Sequence, residues 1–408
     1  MSPGRSPTLE RIARSITGAS IRSKVTIGRH EYPCIMGELW TSRQRQASSL
    51  HEISYRACYK PQLPEFFIQR LTKPGDRVYD PFSGRGTTAV QAGLMGRKAT
   101  ANDINPLSAL LARPRFFPPD PEQIKERLER LPLLRDRALR PDLSMFYHPE
   151  TERELRSLRR YLMQREKEGC LDHMDEWIRM VATNRLTGHS KGFLSVYTLP
   201  PNQAVTPDRQ KLINKRLKQK PEYRNVIDAI YRKSRQLQSG LTQQERMNLA
   251  AMARHARFLN SDARHTTGIR SGSIALTVTS PPFLNIVNYA SDNWLRCWFN
   301  GLDANQLSRS ISSLSSIDDY TSLSKDVFRE LYRVTMPGGY VCYEVGEVRK
   351  GTVHLEEIVI PAGLDAGFRC AGILINKQRF TKTAHIWGIR NNSTGTNTNR
   401  IVLFRRNN

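Results

Sequence analysis

The run Val78-Tyr79-Asp80-Pro81-Phe82-Ser83-Gly84-Arg85-Gly86-Thr87-Thr88, continued by Ala89-Val90-Gln91-Ala92, limits what this chain can fold into more than any other stretch. A short β-rich run ends in an acid, two glycines one residue apart follow, and a helix-like segment comes next. That is the pattern of a strand that turns tightly and opens a helix. Glycine lets the backbone approach a ligand closely, and the acid at the strand end can accept hydrogen bonds from a ligand ammonium or hydroxyl. The first helical amides then meet the polar end of the ligand. Lys98-Ala99-Thr100-Ala101-Asn102 reads as a second strand, ended by Asp103-Ile104-Asn105-Pro106. An acid about 20 residues beyond a glycine-rich turn is placed to take both hydroxyls of a ribose, so Asp103 is a second candidate ligand residue. It also suits the N-cap of a helix over 107–113, which is compatible with that role.

Far downstream, Ile274-Ala275-Leu276-Thr277-Val278 reads as a buried strand, and Ser280-Pro281-Pro282-Phe283 as a rigid turn at its carboxyl end. Doubly wound sheets bind ligands at that end. DPFSGRGTT (80–88) resembles motif I, and TSPPF (279–283) resembles motif IV, of the amino-methyltransferases, which methylate exocyclic nitrogens of DNA bases. The resemblance covers roughly 55–120 and 258–405. It implies an α/β fold, a Rossmann-like doubly wound sheet of about seven strands with an antiparallel last strand, here with a mainly helical insert. It also implies S-adenosylmethionine as cofactor, no metal and no covalent enzyme intermediate.

Carried onto this chain, the resemblance assigns Asp80, Phe82, Ser83, Gly84, Gly86, Thr87, Asp103 and Ile104 to the cofactor. Tyr59-Lys60-Pro61-Gln62-Leu63-Pro64 resembles motif X, in which Lys60 would neutralise the cofactor carboxylate. Asp262, in Phe258-Leu259-Asn260-Ser261-Asp262, would accept the amino group of the cofactor adenine. The catalytic residues are Ser280, Pro281, Pro282 and Phe283. An exocyclic amine is a poor nucleophile because its lone pair is delocalised into the ring. Hydrogen bonds from the amine to a Ser hydroxyl and a Pro carbonyl draw the nitrogen toward tetrahedral geometry for in-line attack. The two prolines stiffen that carbonyl, and Phe283 offers a face to a base that has left the duplex. Ser at the first position resembles the cytosine-N4 enzymes more than the adenine-N6 ones, and adenine-N6 methylation is the alternative.

Charge points to the same class of partner. Lys plus Arg number 63 against 38 Asp plus Glu in 408 residues, a formal charge of +25. Such a balance calls for a polyanion, DNA before others. The six cysteines show no CxxC or Cys/His ligand spacing, which predicts neither zinc nor disulfides and a reducing compartment. No apolar run approaches about 18 residues and the N-terminus lacks a signal-like core, so a soluble, cytoplasmic, nucleoid-associated protein is expected.

Four regions are expected. Residues 1–45 form a basic arm with little periodicity, including Cys34, read as structural although it follows a proline. The cofactor half spans 46–115, a helical basic insert for target recognition 116–257, and the catalytic half 258–408. Between 205 and 240 the insert has ten Lys or Arg against three acids, an excess that exceeds ordinary side-chain pairing on helices. Within it, 187–203 is poor in helix formers and rich in groups that read or stack on bases. His189, Lys191, Tyr197 and Asn202 there, with Lys215, Arg216 and Lys218 beyond, are the DNA-binding candidates.

In the last region, 294–299 and 358–366 read as helices and Met336-Pro337-Gly338-Gly339 as a turn into a strand over 340–345. Thr394-Gly395-Thr396-Asn397 reads as the turn of a closing hairpin between Ile386-Trp387 and 401–404. The expected activity is a site-specific DNA methyltransferase, with a cognate restriction endonuclease as a possible partner. An RNA or protein methyltransferase, or a DNA-binding protein that has lost catalysis, are the competing classes.

Overall fold

The computed structural model describes residues 7–14, 21–40, 47–55, 58–131, 141–198, 204–282, 292–310, 316–345, 347–348, 353–381 and 394–408. Its elements begin with α1 (Pro7–Arg14), β1 (Ile21–Ile27), β2 (His30–Gly37), α2 (Gln62–Leu71), β3 (Arg77–Asp80), α3 (Thr87–Leu94), β4 (Lys98–Asn102) and α4 (Leu107–Ala112). The insert contributes α5 (Pro121–Glu129), α6 (Pro149–Lys167), α7 (His173–Arg185), α8 (Pro207–Leu217), α9 (Val226–Gln238) and α10 (Gln243–Ala253). Then come β5 (Arg257–Leu259), β6 (Ile274–Thr279), α11 (Trp294–Phe299), α12 (Ala304–Ser310), α13 (Ile317–Val334) and β7 (Thr335–Val345). The last are β8 (Glu347–Val348), β9 (Val353–His354), α14 (Glu356–Asp365), β10 (Phe368–Thr381) and β11 (Thr394–Arg406).

Among the described residues the main sheet has nine strands in the order β1-β2-β10-β11-β7-β6-β3-β4-β5. Neighbours from β7 through β6, β3 and β4 to β5 run parallel, and β11 pairs antiparallel with β7 and with β10. All six residues of β6 are buried, as a strand covered on both faces requires. Successive side chains alternate between two cores. Val78, Leu276, Val278, Cys342 and Leu403 join one, while Tyr79, Val341, Tyr343 and Val402 join the other. From β3 the chain steps outward to β4 and β5, then returns to β6 on the opposite side of β3. The connections diverge between β3 and β6, which opens a crevice at the carboxyl ends of these strands, where open α/β sheets take ligands.

The readings of strand number, N-terminal arm and closing turn are corrected, and the insert packs with the cofactor half. The sheet has nine strands rather than seven, because residues 21–37 form a hairpin whose β2 runs parallel to β10. The segment read as a basic arm thus extends the sheet, with Cys34 buried on β2 and Leu9 and Ile12 of α1 in the core. The helical insert shares its core with the cofactor half: Leu155, Trp177 and Ile230 belong to the same cluster as Val78 and Leu276. Finally, 394–397 is not a turn but the start of β11, paired with β10 from Thr381↔Thr394 onward. Ile386 and Trp387 lie outside the described residues.

Helices fall where apolar spacing placed them. The 294–299 helix buries Leu295, Cys297 and Phe299, and α14 covers most of the predicted 358–366 segment. At 336–339 the β6–β7 ladder skips from Ile274↔Thr335 to Leu276↔Tyr340, and Gly338 takes φ +75°. The glycines therefore make a bulge within β7. Among the described residues no helix is long and apolar enough to cross a membrane.

Candidate cofactor and methyl-acceptor cleft

The glycine turn is shaped by two left-handed residues, Gly84 at φ +52° and Gly86 at φ +79°. At Gly86 a Cβ would stand 2.4 Å from Cβ of Ala112, so α4 crosses too close for any side chain. Arg85, between them, is buried and donates to the Ile53 carbonyl (2.8 Å), the Tyr59 carbonyl (3.4 Å) and Thr87 Oγ1 (3.2 Å). Those bonds fasten the segment carrying Tyr55, Cys58 and Tyr59 over the turn.

A cleft opens above it, enclosing about 940 Å³ including the open solvent at its mouth. Phe82, Ser83, Gly84, Thr87, Asp103, Ile104 and Asp262 line it, as do Ser280 and Pro282. Residues drawn from the ends of β3, β4, β5 and β6 therefore share one space. Asp103 Oδ2 accepts from Gly84 N at 2.7 Å and Oδ1 from Asn105 N at 2.9 Å. Each oxygen retains a free lone-pair direction, which suits a vicinal diol. Burial of this carboxyl pushes it up to about 6, against the pull of the two amides.

Asp80 differs from its expected place. It is wholly buried and does not line the cleft. Its Oδ1 accepts from Thr279 Oγ1 (2.7 Å) and Phe82 N (3.1 Å), and its Oδ2 from the Tyr59 hydroxyl (2.6 Å). Burial outweighs these three donors and raises its pKa to about 6. Asp80 thus holds the two loops together, while Tyr59 meets the cleft. Gly86 and Lys60 are also off the lining, Lys60 being half-buried with its pKa lowered first by burial and then by Arg85. Asp262 lines the cleft but is engaged by Arg264, whose Nη2 donates to Oδ2 at 2.5 Å and whose Nε reaches both oxygens at 3.0 Å. That bond holds the Asp262 pKa below the usual carboxylate range.

At the second wall Ser280 and Pro282 reach the cleft, and Pro281 is buried behind them. Phe283 lies outside the described residues. Sequence reasoning missed Tyr55, Asn105, Arg264 and Leu323 on the lining, and Glu344 behind Ser280. A lone acid among Val341, Cys342, Tyr343 and Val345 on a buried strand was the available signal for Glu344. Among the described residues no group of three or more His, Cys, Asp or Glu side chains could hold a metal ion.

Six of the DNA-binding candidates are exposed. His189, Lys191 and Tyr197 are exposed on the 186–198 loop, and Lys215, Arg216 and Lys218 are exposed at the end of α8. Gln210 and Gln219 each donate to the Tyr197 carbonyl (3.0 and 2.9 Å), which joins loop to helix. Asn202 lies outside the described residues. Just beyond it, Ala204 N donates to the Asp292 carbonyl (3.1 Å) and Trp294 Nε1 to the Val205 carbonyl (3.1 Å). The chain leaving the basic loop is thereby tied to the chain that follows motif IV.

Comparison with known proteins bears on the first quarter of the chain. Residues 22–112 match the family model described as DNA methylase. Type II methyltransferase M.MjaII of Methanocaldococcus jannaschii is 35% identical over 88 residues, 21% of this chain and 17% of that protein. Type II methyltransferase M.MvaI of Kocuria varians is 31% identical over 97 residues, 23% of this chain and 20% of that protein. The matched region thus spans about a fifth of the length of either relative. Among solved structures, TrmN from Thermus thermophilus is 12% identical, with 89% of this chain and 53% of that one covered at a TM-score of 0.36. TTHA0409 from Thermus thermophilus, complexed with S-adenosyl-L-methionine, is 20% identical over 36% of this chain and 54% of that one, at a TM-score of 0.21. From β1 to α4, the stretch that carries the glycine turn and Asp103, the chain is similar to the DNA methylases.

Proposed function

We propose that this chain is an S-adenosylmethionine-dependent DNA methyltransferase that methylates the exocyclic N4 amine of cytosine. The observation that carries the reading is a single cleft lined by Gly84 and Asp103 on one side and by Ser280 and Pro282 on the other. The match of residues 22–112 to DNA methylases supports DNA as the substrate, and the charge of +25 agrees with it.

The residues present fit the cofactor. Asp103 has acceptor capacity for two ribose hydroxyls beside Gly84, and the apolar faces of Tyr55, Phe82 and Ile104 suit a purine. Bound, the cofactor supplies an electrophilic methyl group. Ser280 Oγ accepts one hydrogen of the target amine and the Pro281 carbonyl the other, which frees the nitrogen lone pair. Pro281 and Pro282 restrict that backbone. Phe283 stacks on the flipped base. The loop bearing His189, Lys191, Tyr197 and Asn202, with Lys215, Arg216 and Lys218, contacts DNA, a reading that the Ala204–Asp292 backbone bond supports. Such an enzyme works on the nucleoid in the cytoplasm, within a modification system that can include a cognate restriction endonuclease. Ser280 at the head of motif IV favours cytosine N4 over adenine N6.

The test is incubation with methyl-labelled cofactor and DNA, followed by digestion to nucleosides. N4-methylcytosine is the expected product. N6-methyladenine as the sole product overturns the base assignment, and label in RNA or protein alone overturns the substrate.

A further inference from the structure

Glu344 is a buried carboxylate that the chemistry above leaves without a task. It is the penultimate residue of β7, one beyond Tyr343, the partner of Thr279, and so stands next to Ser280 across the parallel pair. On its other side it pairs with Ile401 of β11. Asn399 Nδ2 donates to its Oε1 at 2.6 Å, and the Ser280 side chain faces it. The Tyr59 hydroxyl lies in the field of both Asp80 and Glu344 and donates to Asp80. Arg400, next along β11, is paired with Glu356.

A serine hydroxyl can accept from an amine while its own hydrogen is given to another acceptor. Glu344 is the acceptor in place. We propose that Glu344 is a positioning residue of methyl transfer: it takes the Ser280 hydroxyl hydrogen, turns the oxygen toward the target amine, and receives through that hydroxyl the proton the amine gives up. This rests on the methyltransferase reading.

The balance is simple. The amine nitrogen lone pair forms the new N–C bond, and the electrons of the broken C–S bond stay on sulfur. The nitrogen, now positively charged, passes one proton to Ser280 Oγ as the Ser280 proton moves to Glu344. A neutral methylated amine, an intact Ser280 and a protonated Glu344 remain, and Glu344 then loses its proton to water. Burial pushes Glu344 up to about 7, against the opposing pull of Asn399 and Ser280, so it can take and lose a proton near neutrality.

The test uses the full chain with S-adenosylmethionine and DNA. In wild type, single-turnover transfer falls about tenfold per pH unit below about pH 7, because a protonated Glu344 accepts nothing. Glu344→Gln lowers the rate about 100-fold and removes that limb, with cofactor affinity unchanged. Asn399→Ala, which removes a donor favouring the charged form, moves the limb to higher pH. Unchanged rate and pH profile in Glu344→Gln overturns the proposal. A readout independent of catalysis is the titration of Glu344 followed by carbon-13 NMR, with Glu344→Gln identifying the signal. That titration moves upward in Ser280→Ala if the two groups are coupled, and its indifference to Ser280→Ala overturns the proposal. Should wild type transfer no methyl to DNA, the methyltransferase reading fails, while the NMR result still decides whether Ser280 and Glu344 act together.

Discussion

The Thr279 hydroxyl donates to the Asp80 carboxylate at 2.7 Å across 199 residues of chain. The residue before the motif IV serine is thereby fastened to the acid that ends the glycine-turn strand. Thr88 Oγ1 adds a second tie, to the Val278 carbonyl at 3.1 Å. Register in the β3–β6 pair brings these loops side by side, and the buried bonds hold them there.

Thr279→Val keeps the shape of the side chain and removes the donor. It is expected to lower stability by about 1–3 kcal/mol, since Asp80 is left short of a partner in a buried site. Urea denaturation at neutral pH measures this, and an unchanged midpoint contradicts it.

Asp80 also gives stability a pH dependence of unusual sign. Its folded pKa of about 6 exceeds the ordinary 3.8, so the native state holds a proton that the unfolded chain releases. Its contribution is most favourable below about pH 4 and is lost as pH rises from about 4 to about 6, at no more than about 1.4 kcal/mol per pH unit. Asp80→Asn lessens that slope and leaves the share of Asp103, which burial raises in the same way. The check is a series of urea denaturations across this range for both proteins, and identical slopes count against the assignment.

Asp103→Ala removes the acceptor assigned to the ribose hydroxyls. Cofactor affinity measured by calorimetry is expected to fall about 10- to 100-fold, the worth of hydrogen bonds to a charged group. A change below about twofold would mean that the ribose lies elsewhere.

Gly86→Ala places a Cβ 2.4 Å from Cβ of Ala112 on a residue at φ +79°. The left-handed strain alone is worth about 1–3 kcal/mol, and the collision with α4 adds to it. Thermal unfolding shows the loss directly. Gly28→Ala is a useful contrast, since it shares a positive φ of +59° but meets nothing within 4 Å, and its cost should be smaller.

Replacing Lys215, Arg216 and Lys218 together by Ala should weaken DNA binding at every sequence and reduce the slope of log affinity against log salt by up to about 3. Cofactor affinity should stay the same. An unaltered salt slope would place the DNA on another face.

Local chemistry made much of the cleft legible. Gly84, Asp103 and Ser280 line the cleft, and Gly86 takes the left-handed backbone of the turn without reaching the lining, because a tight turn after a strand constrains its own residues. What stayed hidden depends on distant pairing. β2 finds β10 some 340 residues away, through contacts such as Cys34↔Ile373, and nothing within Ile21–Ile27 or His30–Gly37 announces that partner. Thr394-Gly395-Thr396-Asn397 has the chemistry of a turn, yet Phe380↔Gly395 pairing overrides it. Spacing could not say whether Tyr59 or Lys60 faces the cleft, since one residue of rotation decides it. Asp80 looked like a ligand contact, but the donors that turn it inward come from Tyr59 and Thr279, which only the folded chain brings near.

The most direct test of the account is to measure cofactor binding and single-turnover methyl transfer to DNA on the same preparations of wild type and Ser280→Ala. Both proteins are expected to bind S-adenosylmethionine alike, while transfer by Ser280→Ala falls by about 100-fold or more. Transfer at the wild-type rate by Ser280→Ala, or no cofactor binding by wild type, would contradict it.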